Sequence, residues 1–429
     1  MNPENLTLTE AAELIRSGKL SPVNYLKGLL AHIDKVEPEI RAWVTFDRER
    51  AMAEAQKCEA EAGAGSFRGT LHGVPVGIKD IFQTAGLRTT AGSRFLQDNI
   101  PTKDAVAVTQ LKKAGAIVLG KTVTTEFASF DPGQTRNPNN VGHTPGGSSS
   151  GSAAAVAARM VPAATGSQTV ASIGRPAAYC GVVGFMPTQS RVSCKGVYPV
   201  SWALDHIGGL TRSVADAKLM LEALSGEAIP SSTSTGPIRI GILRGFFRDN
   251  ATPETRELHE AFIKRLSGPN FSVSEVPLPG IFDIQGAIVS TLLRTEVAAA
   301  HSAFYAAHAD LYGAKLRGLI ETGMLVDSGS YLRALRLRKI YQKEMLKLFS
   351  SVDVLLSPGA KDTAPEGLGY TGDPGFSGPW ALADFPTLTV PTGKAANGLP
   401  VAVQISAAPL NEAAMFEAGS RIEALTALP

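Results

Sequence analysis

A chain of 429 residues, 44% hydrophobic and 19% charged, is long enough for one large α/β domain or two smaller ones and apolar enough to bury a true core. Its formal net charge of +2 gives no reason to expect nucleic acid or an anionic membrane surface as a partner. No apolar run reaches the roughly 18 residues of a membrane-spanning helix.

The first residues, Met1-Asn-Pro-Glu-Asn-Leu6, lack a basic segment ahead of an apolar one, so no secretion signal is expected. Three cysteines, Cys58, Cys180 and Cys194, form no CxxC pair and suit a reducing, cytoplasmic setting. Neither a zinc pattern nor a P-loop is present, so no metal is expected.

In chain order, apolar residues at helical spacing predict helices over Leu8–Arg16 and Val23–Ile33, the second opened by Ser21-Pro22. A third, over 47–61, is rich in Ala, Glu and Arg; together they form an N-terminal helical layer over about 1–65. The stretch Leu71–Asp80 then changes to β-branched residues, Gly and Pro, and predicts a central strand presenting Lys79 at its end. Its apolar flanks permit burial of that lysine, and burial lowers a lysine pKa. A helix over 104–114 and a strand over 116–120 follow, a pair that suggests a parallel or mixed sheet covered by helices. A Gly/Pro/Asn-rich loop runs over 131–145.

Gly146-Gly-Ser-Ser-Ser-Gly-Ser152 runs into an alanine-rich helix for which Ser152 is the expected N-cap. A second Gly/Ser/Thr stretch covers 165–176. A helix over 213–224 precedes a polar connection, 227–237, the expected border between a front and a rear part of the sheet. Behind it the pattern predicts strands over 238–243, 352–358, 388–391 and 400–405. Helices are expected over about 254–266, 283–309, 328–349 and 411–425.

Several motifs in this order resemble the amidase signature family of serine hydrolases. They are Gly73-Val-Pro-Val-Gly-Ile-Lys79-Asp80, Gly120-Lys-Thr, Glu126-Phe-Ala, Asn137-Pro138 and Gly146–Ser152. Further on stand Ala177-Ala-Tyr-Cys-Gly181, Pro187-Thr188, Arg191-Val-Ser193 and Leu204-Asp205, and the likeness returns at 385–404. Order and spacing together make the match specific over nearly the whole chain. The resemblance implies a single domain over 1–429, with a signature core over about 66–225 and a rear part over about 236–429. It implies an α/β fold in which a large mixed β-sheet is covered by helices on both faces.

The resemblance also implies a Ser–cis-Ser–Lys triad of Ser172 as nucleophile, Ser148 as the cis serine and Lys79 as base. The backbone N–H groups of Thr169, Val170, Ala171 and Ser172 would hold the oxyanion. Glu126, Phe127, Phe130, Gln134, Gly147, Arg191 and Trp380 fall where family members bind substrate, with Trp380 equally readable as a core residue. No cofactor is implied, and the expected partner is a small-molecule amide or carbamate taken by a monomer or homodimer. A serine hydroxyl needs a base, and no Ser-His-Asp arrangement is visible, so a desolvated neutral lysine fits that role.

Three departures from the family pattern stand near the triad. The usual Asp-Thr-Gly-Gly-Ser-Ile-Arg reads Gln168-Thr-Val170-Ala171-Ser172-Ile-Gly174, with Arg175 one place later. The common Lys-Pro-Thr reads Met186-Pro-Thr, and Ser150 stands where glycine is frequent. The expected function is cleavage of the C–N bond of amides by a free-standing enzyme through an acyl- or carbamoyl-serine, with carbamates (urethanes) and esters as further substrates. The A subunit of a glutamine-dependent tRNA amidotransferase is the alternative, and a catalytically dead binding protein a third class.

Overall fold

The computed structural model describes residues 2–231 and 236–426. Eleven strands carry the fold. In chain order they are β1 (Trp43–Phe46), β2 (Pro75–Lys79), β3 (Ile117–Thr122), β4 (Ala163–Gln168), β5 (Val183–Met186), β6 (His206–Thr211), β7 (Ile238–Leu243), β8 (Phe271–Val276), β9 (Val354–Pro358), β10 (Thr387–Lys394) and β11 (Pro400–Ala407). They form one mixed sheet in the order β1-β3-β2-β4-β6-β5-β10-β11-β9-β7-β8. Every strand before the 227–237 connection lies on one side of the β5–β10 pairing, and every later strand on the other. Residues 232–235 of that connection lie outside the described residues.

Helices cover both faces, and the strand period shows why. Neighbouring strand residues point to opposite sides. Ala163 and Ile207 join an apolar cluster with Leu8, Ala11 and Ile15 of the helix Leu8–Arg16 and with Ala217 and Met220 of the helix Val214–Ser225. Ala164 and Leu210 join another, with Ala153–Val156 and with Ala177 and Cys180 of the helix Gly174–Cys180. A third cluster, around Phe247, Leu292, Tyr341 and Trp380, fills the rear.

Local chemistry fixes the element ends. Thr7 caps its helix reciprocally, accepting the Glu10 N–H while the Glu10 carboxylate accepts the Thr7 N–H. Ser21, Asp47, Ser213, Thr252 and Asp327 cap later helices through their side chains.

Several expectations need correction. The first turn of the alanine-rich helix starts earlier, over Ser150–Ala157 with Ser149 at the N-cap. Ser152 instead ties this helix to the sheet: its hydroxyl donates to Thr165 O at 2.8 Å and lies 2.7 Å from Thr122 Oγ1. The strand expected over 71–80 forms only from Pro75, because Leu71–Val74 makes a turn closed by a Val74 N–H to Leu71 O bond. The long helix over 283–309 begins as a 3-10 turn, Gly280–Ile284, before Gln285–His308. The helix Ala314–Gly323 and five strands (β1, β4, β5, β6 and β8) do not follow from the sequence pattern. Strand β4, Ala-Ala-Thr-Gly-Ser-Gln, has no apolar alternation because it is buried on both faces and its small side chains make room for helices.

Candidate active site

The end of β2, the serine loop and the turn after β4 meet in the front half of the sheet. Lys79 closes β2 between two paired strands, so its side chain has nowhere to go but inward, and it is fully buried. Its N–H donates to Thr165 Oγ1 at 2.8 Å. Its Nζ lies 2.8 Å from Ser148 Oγ, 2.9 Å from Ser149 Oγ and 2.7 Å from Ser167 Oγ. No carboxylate is among these partners. Burial pushes the lysine pKa well below its ordinary value, and the Asp205 carboxylate pulls it only part of the way back. A neutral amine has two N–H groups and one lone pair. Of the three hydroxyls around Nζ, one therefore faces the lone pair.

The serine loop is built for close backbone approach. A Cβ at Gly151 would collide with Ala42 O and Val123 N, so only glycine lets the helix start lie against the end of β3. The Gly147–Ser148 peptide is cis. Ser148 O accepts the Thr125 N–H, and the Ser149 N–H donates to Ser172 O, each at 3.3 Å, which joins the two serine segments directly.

Ser172 sits in the turn between β4 and the helix Gly174–Cys180, 9% exposed. Among the described residues, the N–H groups of Thr169, Val170, Ala171 and Ser172 donate to no acceptor. Their residues line a narrow cleft of about 30 Å³, together with Ala128–Phe130, Arg175, Val200, Leu293 and Pro374. Free donors beside a nucleophile-type hydroxyl are what an oxyanion requires. Two side chains hold this turn. The Thr169 hydroxyl donates to Asp205 Oδ1 at 2.6 Å, and Gln168 Oε1 accepts the N–H groups of Ile173 and Gly174, both at 2.9 Å.

The remaining expected site residues divide. Phe130, 37% exposed, lines the cleft. Gly147 supplies the carbonyl that Arg175 Nη2 holds at 2.6 Å. Glu126 does not line the cleft; its carboxylate accepts the Gly313 N–H at 2.7 Å. Phe127 is buried in an aromatic cluster with Phe95, Tyr198, His301, Phe304 and Tyr312. Gln134 is exposed and outside the cleft, and Arg191 is paired with Glu412 at 3.1 Å. Trp380 belongs to the core: it is fully buried, stacks on Phe247 at 5.6 Å, and donates its ring N–H to Phe376 O. Its place beside the Gly378-Pro379 turn gave the sequence no way to tell wall from core.

Sequence reasoning missed Ser149 and Ser167 as partners of Lys79, and Leu293 and Pro374 as cleft residues. The serines were legible as polar members of Gly/Ser segments that should not be buried idle. Leu293 carries no signal, being one apolar residue of a long helix. Away from this site, Cys58, Glu61 and His72 bring three ligand-type atoms together. Both His72 nitrogens are already engaged, by the Arg68 N–H and by Cys58 O, and Glu61 grips Arg68 at 2.7 Å.

A mixed sheet, a buried lysine against a cis serine and a second serine beside free N–H groups mark an enzyme of the C–N hydrolase or amidotransferase class. Residues 24–416 match the family model described as Amidase, and the chain belongs to this family. It is 36% identical to the A subunit of glutamyl-tRNA(Gln) amidotransferase from Lachnospira eligens, over 97% of each chain. Among solved structures, a crystal structure of an amidase superposes with a TM-score of 0.91 at 31% identity, covering 98% of this chain and 99% of the other. The peptide amidase of Stenotrophomonas maltophilia superposes with a TM-score of 0.83 at 28% identity, covering 98% and 97%. The enzyme is thus an amidase-family protein, and no helix among the described residues is long and apolar enough to cross a membrane.

Proposed function

We propose that this chain is a free-standing amide hydrolase whose nucleophile is Ser172, with neutral Lys79 as base and Ser148 as the proton carrier between them. Ser172 Oγ attacks the substrate carbonyl, and its proton passes through Ser148 to the Lys79 lone pair. The N–H groups of Thr169 to Ser172 take up the developing oxyanion, each worth about 3–4 kcal/mol by the measure of other hydrolases. Ser148 returns the proton to the leaving nitrogen. Water, activated by the same relay, then frees the acyl or carbamoyl group from Ser172. No step calls on a group beyond these side chains and water.

The observation that carries the substrate reading is the state of Arg175. It is the one charged side chain on the cleft wall, and its guanidinium is committed to Gly147 O, Gly372 O and Thr371 Oγ1. Arg191 is likewise held by Glu412. Both are anchored through their Nη groups, and although the Nε of each has no partner among the described residues, neither keeps a free pair of Nη groups for a two-point clamp on the carboxylate of an amino-acid substrate. Beside Ser129, Thr169 and Ser172, the wall is made of apolar side chains (Phe130, Val170, Val200, Leu293, Pro374), which favours neutral aryl or apolar amides and carbamates. The second reading, the A subunit of an amidotransferase, draws on the 36% identity to one such protein across both chains.

Comparison of kcat/KM for a neutral anilide, an aryl carbamate and glutamine tests the two readings. Glutamine hydrolysis faster than every neutral substrate would overturn the first. A fluorophosphonate should label Ser172 and leave Ser172→Ala unlabelled; labelling that survives the substitution would sink the assignment of the nucleophile.

A further inference from the structure

Two of the departures from the family pattern touch each other. Gln168, at the end of β4, and Met186, at the end of β5, are both fully buried. The Ile173 and Gly174 N–H groups demand an acceptor, which fixes the Gln168 amide with Oε1 toward them. Nε2 is therefore turned the other way, and it lies 3.0 Å from Met186 Sδ. Sulfur is a weak acceptor, so this contact holds a donor in place without offering it a charge.

We propose that Gln168 is a positioning residue for Ser172, and that Gln168 and Met186 are one coupled exchange: an amide and a thioether standing where the family pattern has a carboxylate and an ammonium group. The geometry gives three reasons. Gln168 Oε1 bridges the start of the Ser172 turn to the residues just after it, so it sets how far the turn can open. The site is dry, and a lone charge there would have no partner, while a pair or a neutral couple is tolerated. The lengths also compensate, since glutamine is longer than aspartate by a methylene while methionine is shorter than lysine by one atom.

The consequence is a non-additive pattern. Gln168→Asp alone buries a carboxylate against a thioether, and Met186→Lys alone buries an ammonium against an amide; each should lower both melting temperature and kcat. The double variant Gln168→Asp/Met186→Lys restores opposite charges and should recover much of both. Gln168→Ala, which removes the acceptor of two N–H groups, should lower kcat by about a hundredfold with KM changed less than about threefold, as expected when a group acts on the transition state through alignment.

The inference rests on Ser172 as the nucleophile, so the cycle is read twice. Melting temperatures of the four proteins are measured in a Ser172→Ala background, which reports the Gln168–Met186 coupling whatever Ser172 does. Rates are measured on an anilide in the active background. Recovery in the double variant by both readouts supports the proposal, including the case in which the single variants fail to fold and the double folds. Additive losses in the melts, or a Gln168→Ala enzyme with unchanged kcat, overturn it. Coupled melts without fluorophosphonate labelling of Ser172 would instead locate the failure in the assignment of the nucleophile.

Discussion

The Thr169 hydroxyl and the Asp205 carboxylate are 2.6 Å apart, and that one bond links the first free N–H of the Ser172 turn to a carboxylate whose charge favours the protonated form of Lys79. Asp205 also accepts the N–H groups of Val200 at 2.8 Å and Ser201 at 3.1 Å. Burial raises its own pKa, against the pull of these hydrogen bonds. Asp205→Asn should destabilise the fold by about 1–3 kcal/mol, since its amide oxygen can still take the Val200 and Ser201 N–H groups, but without the charge, and its nitrogen cannot accept from the Thr169 hydroxyl. It should also shift the rising limb of the pH–rate profile to lower pH, because the charge that favours protonated Lys79 is gone. Melting curves and pH–rate profiles of the variant check both effects.

The titration of Lys79 has a definite sign. Below its depressed pKa the amine is protonated and has no lone pair, so kcat/KM should rise with pH through that value and then level off. In the unfolded chain the same lysine titrates near its ordinary value of about 10.4. Between the two values the unfolded chain binds more protons, so this group's contribution to stability grows with pH. Lys79→Met should abolish turnover, keep the fold, and flatten that part of the stability profile. A flat pH–rate profile in the parent enzyme would contradict the base assignment.

Ser167 tests the orientation of the lone pair. Ser167→Ala removes one of the three hydroxyls around Lys79 Nζ. The amine is then free to turn, and kcat should fall about tenfold while Lys79 stays buried and the fold persists, the cost of misaimed chemistry rather than lost binding. Steady-state kinetics on the anilide, with circular dichroism as control, measure this.

Phe130 and Trp380 should behave in opposite ways. Phe130 lines the cleft and is partly exposed, so Phe130→Ala should leave stability nearly unchanged and cost about tenfold in kcat/KM on aryl substrates, the worth of a partly buried ring. Trp380→Ala should cost about 3–5 kcal/mol of stability, as loss of a large core side chain does, without altering the preference between aryl and alkyl substrates. A selectivity change in a stable Trp380 variant would return that ring to the cleft.

The sequence announced the parts of the fold that obey a period. The helices Leu8–Arg16 and Val214–Ser225 and the strand β7 alternate apolar and polar residues as their surroundings require. It concealed β4, β5 and β6, whose residues are buried along their whole length and so show no alternation of exposure. At the site, Lys79, Ser148 and Ser172 were singled out by the family resemblance, and the structure brings Lys79 and Ser148 to 2.8 Å of each other. Glu126 and Phe127 were misplaced for a physical reason: their segment does reach the cleft, but only from Ala128 onward. Phe127, at a φ of 45°, turns its ring into an aromatic cluster instead.

The seam between β5 and β10 separates two kinds of inheritance. Lys79, Ser148 and Ser172 all precede residue 226 in the chain, whereas Leu293 and Pro374, which close the cleft, follow residue 237. Substitutions in the later half of the chain can therefore reshape that one edge of the cleft, while Phe130, Val170 and Val200 stay with the front half and its lysine and serines. A chimera that keeps the first half and borrows the second from a relative would carry over most of the cleft from this chain and take from the donor only the edge at Leu293 and Pro374.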